Sequence, residues 1–247
     1  MGDDRILLLA PVFASDPAMV DIWPAYRALV DELSAFLPVD LFHGWMAAPT
    51  RRSVEDAISL LVEAITPEHH VVALGTAAQL LLGALSRRLA RSLATAGSLS
   101  SAATLEAAGE ADLGAAMRAV ASLAFTPAQM IPVVMEGAGR RQIDEVIATA
   151  EASSNKSLLA EVLERFHETD FSGRTPVTIP ALYLDISFPI PGADRLFELF
   201  KESVVNAQRD ELLIWPMRMH EAAGGHELAG KIIPFIQSVI AEREQRA

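Results

Sequence analysis

Cysteine is absent from the 247 residues, which removes disulfides, thiol nucleophiles and thiolate metal sites at once. Basic residues are scarce: 20 Lys and Arg stand against 32 Asp and Glu, a formal charge of −12. So acidic a chain offers no electrostatic footprint to a phosphate backbone or an anionic lipid surface, and neither nucleic acid nor membrane is an expected partner. Long apolar runs are missing as well. Those at 71–74 and 80–85 fall far short of the roughly 20 residues that span a bilayer. No Gly-x-Gly-x-x-Gly or Gly-x-x-x-x-Gly-Lys loop follows a strand-like run, so a nucleotide has no cradle and no cofactor is expected. The start, Met1-Gly2-Asp3-Asp4, is acidic and leads directly into an apolar stretch, unlike the basic start of a secretory signal, and a cytoplasmic address is expected.

What is present is a hydrophobic fraction of 51% with 21% charged residues, enough to bury a full core. Short apolar runs at 5–10, 39–43, 70–74, 92–96, 181–185 and 211–215 read as strands buried on both faces. Segments of helical period lie between or after them, at 18–37, 53–65, 77–89, 194–207 and 228–244. Such alternation predicts an α/β fold: an open, mostly parallel sheet with helices on both faces. The rhythm breaks between 102 and 175. Helix-forming sequence there carries apolar faces such as Met117, Val120 and Leu123, or Ile143, Val146 and Ile147, with no strand signal. The expected organisation is a core of 1–101 and 176–247 with a helical insertion at 102–175. An insertion leaving a strand's carboxyl end would roof the crevice where open α/β sheets bind ligands; extra helices at the sheet's edge are the alternative.

The run Leu74-Gly75-Thr76-Ala77-Ala78-Gln79 meets an Ala- and Leu-rich helix at a small-residue corner, and it resembles the nucleophile elbow of the α/β-hydrolase family. Residues 90–93 then look like that family's sixth strand. Pro180-Ala181-Leu182-Tyr183-Leu184 resembles the strand before the catalytic acid, and Trp215-Pro216-Met217-Arg218-Met219-His220 the segment that delivers the catalytic histidine. Leu7-Leu8-Leu9-Ala10-Pro11-Val12 resembles the third strand with its oxyanion loop, and Val39-Asp40-Leu41-Phe42-His43-Gly44 the fourth strand. The resemblance spans nearly the whole chain, without the family's first two strands.

It implies the following site. Ala77 takes the nucleophile's position and has no hydroxyl, while Gln79 stands where a second glycine is usual. His220 is the general base or acid, because imidazole titrates near neutral pH and can move protons without a covalent partner. Phe188 holds the usual place of the acid, so Asp185 and Asp194 are the nearby carboxylates that could orient His220. The oxyanion donors are the backbone N–H groups of Val12 and Ala78, and Ala10-Pro11 replaces the family's His-Gly. Pro11, Phe13, Thr76, Trp45, Phe188 and Met130 are expected to line the substrate pocket. His69 and His70 read as structural residues at a strand entrance. His167, Glu168 and Asp170 read as a solvated helix end. Glu221, Gly224, Gly225 and His226 read as a loop, and no metal site is expected.

The resemblance implies an enzyme acting on a small, largely apolar carbonyl compound: an ester, thioester, β-dicarbonyl or polyketide-like molecule. Either no covalent nucleophile takes part or one was removed by a Ser-to-Ala change at 77. A non-catalytic small-molecule receptor or interaction protein on the same fold is the competing class. A homodimer stays open.

Overall fold

The structure, a computed structural model, describes residues 3–9, 23–42, 54–75, 77–97, 100–124, 128, 131–132, 135, 137–152, 164–172, 174–186, 193–212 and 221–246. Its strands are β1 (Arg5–Leu9), β2 (Val39–Leu41), β3 (His69–Leu74), β4 (Ser92–Ala96), β5 (Ala181–Ile186) and β6 (Ala207–Leu212). All pair in parallel, in the order β2-β1-β3-β4-β5-β6. The helices are α1 (Pro24–Phe36), α2 (Val54–Ala64), α3 (Ala77–Leu85), α4 (Ala102–Ala107), α5 (Ala111–Ala124), α6 (Arg140–Ala152), α7 (Ala193–Ser203) and α8 (Ala222–Arg246).

The apolar runs are continuous because the sheet is buried on both sides, and successive side chains point to opposite faces. Leu7, Leu9, Val71, Ala73, Leu93 and Tyr183 share one core cluster with Ile58 and Leu61 of α2 and Leu81 of α3. Their neighbours Ile6, Leu8, Val72, Leu74, Ala94 and Leu182 share the other with Leu29 and Leu33 of α1 and Leu228 and Ile232 of α8. The expected α/β architecture is therefore the one observed. From β1 the chain winds outward to β2, then returns past β1 to β3 and proceeds the other way. That reversal makes the carboxyl ends of β1 and β3 the topological switch point at which open α/β sheets bind their ligands.

Several element bounds differ from the sequence expectation; α3, for one, ends at Leu85 rather than 89. The sixth strand begins at Ala207, four residues before the apolar run at 211–215, and is polar over most of its length. It is one edge of the sheet, where Gln208, Arg209 and Glu211 are exposed, and charge on an edge strand blocks further pairing. Helix α7 consequently ends at Ser203 rather than 207. At the other end, Glu221 to His226 is no loop: α8 begins at Ala222 and carries Gly224 and Gly225 inside it. The reason is contact with α1. A Cβ on Gly225 would stand 2.0 Å from the Ala25 carbonyl oxygen, so the two helix backbones touch where only hydrogen fits.

Between β4 and β5 the described residues form α4, α5, α6 and a helical turn at 164–168, with no strand of the sheet among them. Phe166 and Phe171 join the cluster of α2 and α3. Ile131, Met135 and Val146 join the opposite cluster, which also holds Leu74, Ala96, Leu184 and Leu212 from the carboxyl-terminal parts of β3 to β6.

Candidate functional site

The corner after β3 is made by Gly75. Its φ of 63° lies in the left-handed region, which a side chain enters at a cost that glycine does not bear. Its N–H donates to the Ala96 carbonyl at 2.9 Å, so the corner is anchored to the end of β4. Gly75 is partly exposed between a fully buried strand and a buried helix. The left-handed residue of the corner is thus Gly75, two positions before the one that the resemblance gives to the nucleophile, with the small residues Ala73 and Ala77 on either side of it.

Ala77, expected at the nucleophile's position, does not form that left-handed bend. It lies in the first turn of α3 with none of its surface exposed, in the core cluster with Leu7, Leu9 and Val71. No non-glycine residue among those described has a positive φ, so the bend that would present a nucleophile is not at 77. Ala78 is equally buried, and its N–H donates to the Gly75 carbonyl at 3.3 Å, a long first-turn contact. Thr76, which follows the corner directly, lies outside the described residues, as do Pro11, Val12, Phe13, Trp45, Met130, Phe188 and His220.

Asp185 and Asp194, the two carboxylates expected near His220, are both described, and one arginine that the sequence did not single out holds them both. Arg209 of β6 donates through Nη2 to Asp185 at the end of β5, at 2.5 Å, and to Asp194 at the start of α7, at 2.7 Å. Its guanidinium also sits 5.2 Å from the centre of the Phe197 ring. Asp185 is half-buried, whereas the Asp194 side chain is 89% exposed. The two carboxylates raise the guanidinium's pKa, so it stays charged throughout the ordinary pH range. In the sequence Arg209 stands within Gln208-Arg209-Asp210-Glu211, which cannot be told from solvated edge charge without strand pairing.

His43 lies outside the described residues, and three of the other histidines have these partners. His69 accepts the Thr66 N–H at 3.0 Å through Nδ1, and its Nε2 lies 3.1 Å from Asp40. His226 projects from α8 to Glu32 of α1 at 2.9 Å. His167 was expected to be solvated and is buried instead: its Nδ1 accepts the Ala102 N–H at 3.4 Å, and its ring stands edge-on to Phe166 at 4.9 Å. Among the described residues no group of three or more His, Asp or Glu side chains could hold a metal ion, and no helix is long and apolar enough to cross a membrane.

No protein-family model and no curated protein matches this sequence. Solved structures do. A hydrolase from Oleispira antarctica is similar at a TM-score of 0.66 and 12% identity, over 96% of this chain and 92% of that one. A putative α/β-hydrolase family protein from Desulfitobacterium hafniense gives 0.65 and 13%, over 94% and 96%. A haloalkane dehalogenase loop variant from Bradyrhizobium elkanii gives 0.61 and 15%, over 99% and 92%. Identities this low speak for architecture alone, and together with the parallel sheet, its winding reversal and the left-handed corner after β3 they establish that this chain has the α/β-hydrolase fold.

Proposed function

We propose that this protein is an α/β-hydrolase-fold enzyme that acts on a small, largely apolar carbonyl compound without a covalent nucleophile. The observation that carries the reading is Gly75: the left-handed, partly exposed corner at the switch point bears no side chain. A serine restored at 77 would sit wholly inside the core, so a nucleophile removed at that position is the weaker account. In this reading His220 takes or gives the proton, and attack comes from water or from within the substrate. The oxyanion is held by the backbone N–H groups of Val12 and, with the left-handed bend at Gly75, of the residue that follows it rather than of Ala78. The insertion roofs the crevice, a placement supported by the clustering of Ile131, Met135 and Val146 with the strand-end residues Leu74 and Ala96.

The test uses three variants and short acyl esters and thioesters. Gly75→Ser should gain covalent labelling by a fluorophosphonate, because it sets a hydroxyl on the corner, whereas Ala77→Ser should not be labelled. His220→Ala should abolish wild-type turnover with ligand affinity held within a few-fold. Labelling of Ala77→Ser and not of Gly75→Ser would return the elbow to 77. Turnover that survives loss of His220 would dispose of the proton shuttle. A receptor without catalysis has one observation in its favour, since Arg209 engages both carboxylates nearest the end of β5. Absence of turnover in the wild type across esters, thioesters and β-diketones, with binding retained, would establish that alternative.

A further inference from the structure

At the amino edge of the sheet, the end opposite the Gly75 corner, a cavity of about 360 Å³ opens beside the last turns of α8. That volume lies at the lower end of the range of small-molecule sites, roughly 300–1,000 Å³. Leu89, Ala90, Pro180 and Val239 give it an apolar wall, and Leu89 is 70% exposed, more than any other large hydrophobic residue among those described.

Three guanidinium groups, from Arg91, Arg243 and Arg246, line the same cavity, and Glu242 is the single carboxylate that does. Beneath them Asp4, 4% exposed, accepts two hydrogen bonds from Arg243, at 2.8 and 2.7 Å, and pairs with Arg91 Nε at 2.9 Å. One buried carboxylate is thus shared by two arginines, and both retain donors it does not use: Nε of Arg243 and the two terminal nitrogens of Arg91. Arg246 holds Glu242 only at 3.5 Å, across a largely exposed pair. Glu68 and Glu244 act on Arg91 and Arg243 through space but do not line the cavity.

We propose that this cavity binds a small organic anion with an apolar tail, a medium-chain carboxylate, whose head group meets Arg91, Arg243 and Arg246 while its chain lies on Leu89, Ala90 and Val239. Planar guanidinium forks suit a carboxylate, and an apolar wall beside them discriminates against an inorganic ion. Strands of five or six residues separate the cavity from the Gly75 corner by roughly 15–20 Å, at about 3.3 Å per residue. An occupant here therefore touches no atom of the candidate active site.

Octanoate is the probe, with octanol as its uncharged control, titrated into the full chain and followed by amide chemical shifts and by calorimetry. Saturable shifts are expected at the amides of Ala90, Arg91 and Val239, with octanol binding at least about tenfold more weakly. Leu89→Glu and Arg246→Glu alter exposed side chains and should leave the fold intact, as circular dichroism would check. Each should weaken octanoate by about tenfold or more. Octanol binding as tightly as octanoate, affinity unchanged in both variants, or shifts confined to residues away from the cavity would overturn the proposal.

Discussion

His70 shows how one buried imidazole sets a pH dependence. It lies on β3 with no exposed surface, its Nδ1 2.8 Å from the Ser92 hydroxyl and its Nε2 3.6 Å from Asp4, a distance of attraction rather than of hydrogen bonding. Burial disfavours the imidazolium more than Asp4 favours it, and Arg91 and Arg243 add repulsion, so the pKa falls from 6.5 to about 4. His167 falls to about 4 as well, through burial first and then Arg118. The folded chain keeps both rings neutral while the unfolded chain protonates them. The two rings leave stability unaffected above about pH 6.5 and reduce it as the pH falls toward 4, on the order of 3 kcal/mol for each ring. Asp40, held at about 2 chiefly by its hydrogen bonds from Arg5, acts in a lower window, below its ordinary 3.8. Urea unfolding at pH 7 and pH 4.5 should show the first loss, and His70→Gln should flatten the profile between them. A wild-type free energy that does not change over that interval contradicts the assignment. At this scale the sequence was partly legible. His69 and His70 read correctly as a structural pair at a strand entrance. His167 did not, because exposed Glu168 and Asp170 beside it gave the segment a solvated look. The place of the left-handed bend was hidden by composition: small residues at 73, 75, 77 and 78 allow more than one placement, and only the φ of Gly75 shows where the chain turns.

Elements were legible where burial dictates them. Residues 92–96 were bounded correctly, and β1, β3 and β5 to within one residue at an end, because a strand covered on both faces must be apolar throughout. The edge escaped for the converse reason: β6 has a polar sequence, and the apolar residues that follow it drew the expectation past its start. The beginning of α8 escaped because paired glycines signal a loop in sequence, while here one of them serves a helix contact. That contact makes a prediction within a single helix. Gly225→Ala places a methyl group against backbone atoms, the Ala25 oxygen at 2.0 Å and the Leu29 nitrogen at 2.8 Å, which cannot swing aside as a side chain would. Overpacking should exceed the gain in helix propensity, for a net loss of about 2 kcal/mol. Gly230→Ala meets nothing within 4 Å and should stabilise the protein by about 0.5–1 kcal/mol. Denaturant midpoints of the two variants read both at once. A Gly225→Ala protein as stable as Gly230→Ala would mean that α1 and α8 do not pack at backbone contact.

For the whole molecule, the question is whether the insertion is a detachable lid or part of the core. A lid carried on hinges would bury its apolar residues among themselves. This insertion does so only in part, where Leu105, Leu113 and Met117 form a small cluster that is completed by Leu196 and Leu199 of α7. Elsewhere it contributes to both layers. Phe166 and Phe171 belong to the cluster on one face of the sheet, with Arg174 stacked 4.9 Å over the Phe171 ring. Ile131, Met135 and Val146 belong to the cluster on the other. Arg195 of α7 ties Glu110 of the insertion at 3.0 Å, and the Ser101 hydroxyl, capping α4, donates to the Thr169 carbonyl at 2.6 Å and so closes the insertion's two ends on each other. Because unfolding the insertion alone would uncover apolar surface of both layers, it should unfold together with the sheet. Scanning calorimetry should then give one transition whose calorimetric and van't Hoff enthalpies agree, and excising 102–175 should yield a chain without cooperative unfolding. Two resolved transitions, or an excised core that still melts sharply, would mean that the insertion is a separate folding unit whose opening leaves the sheet undisturbed.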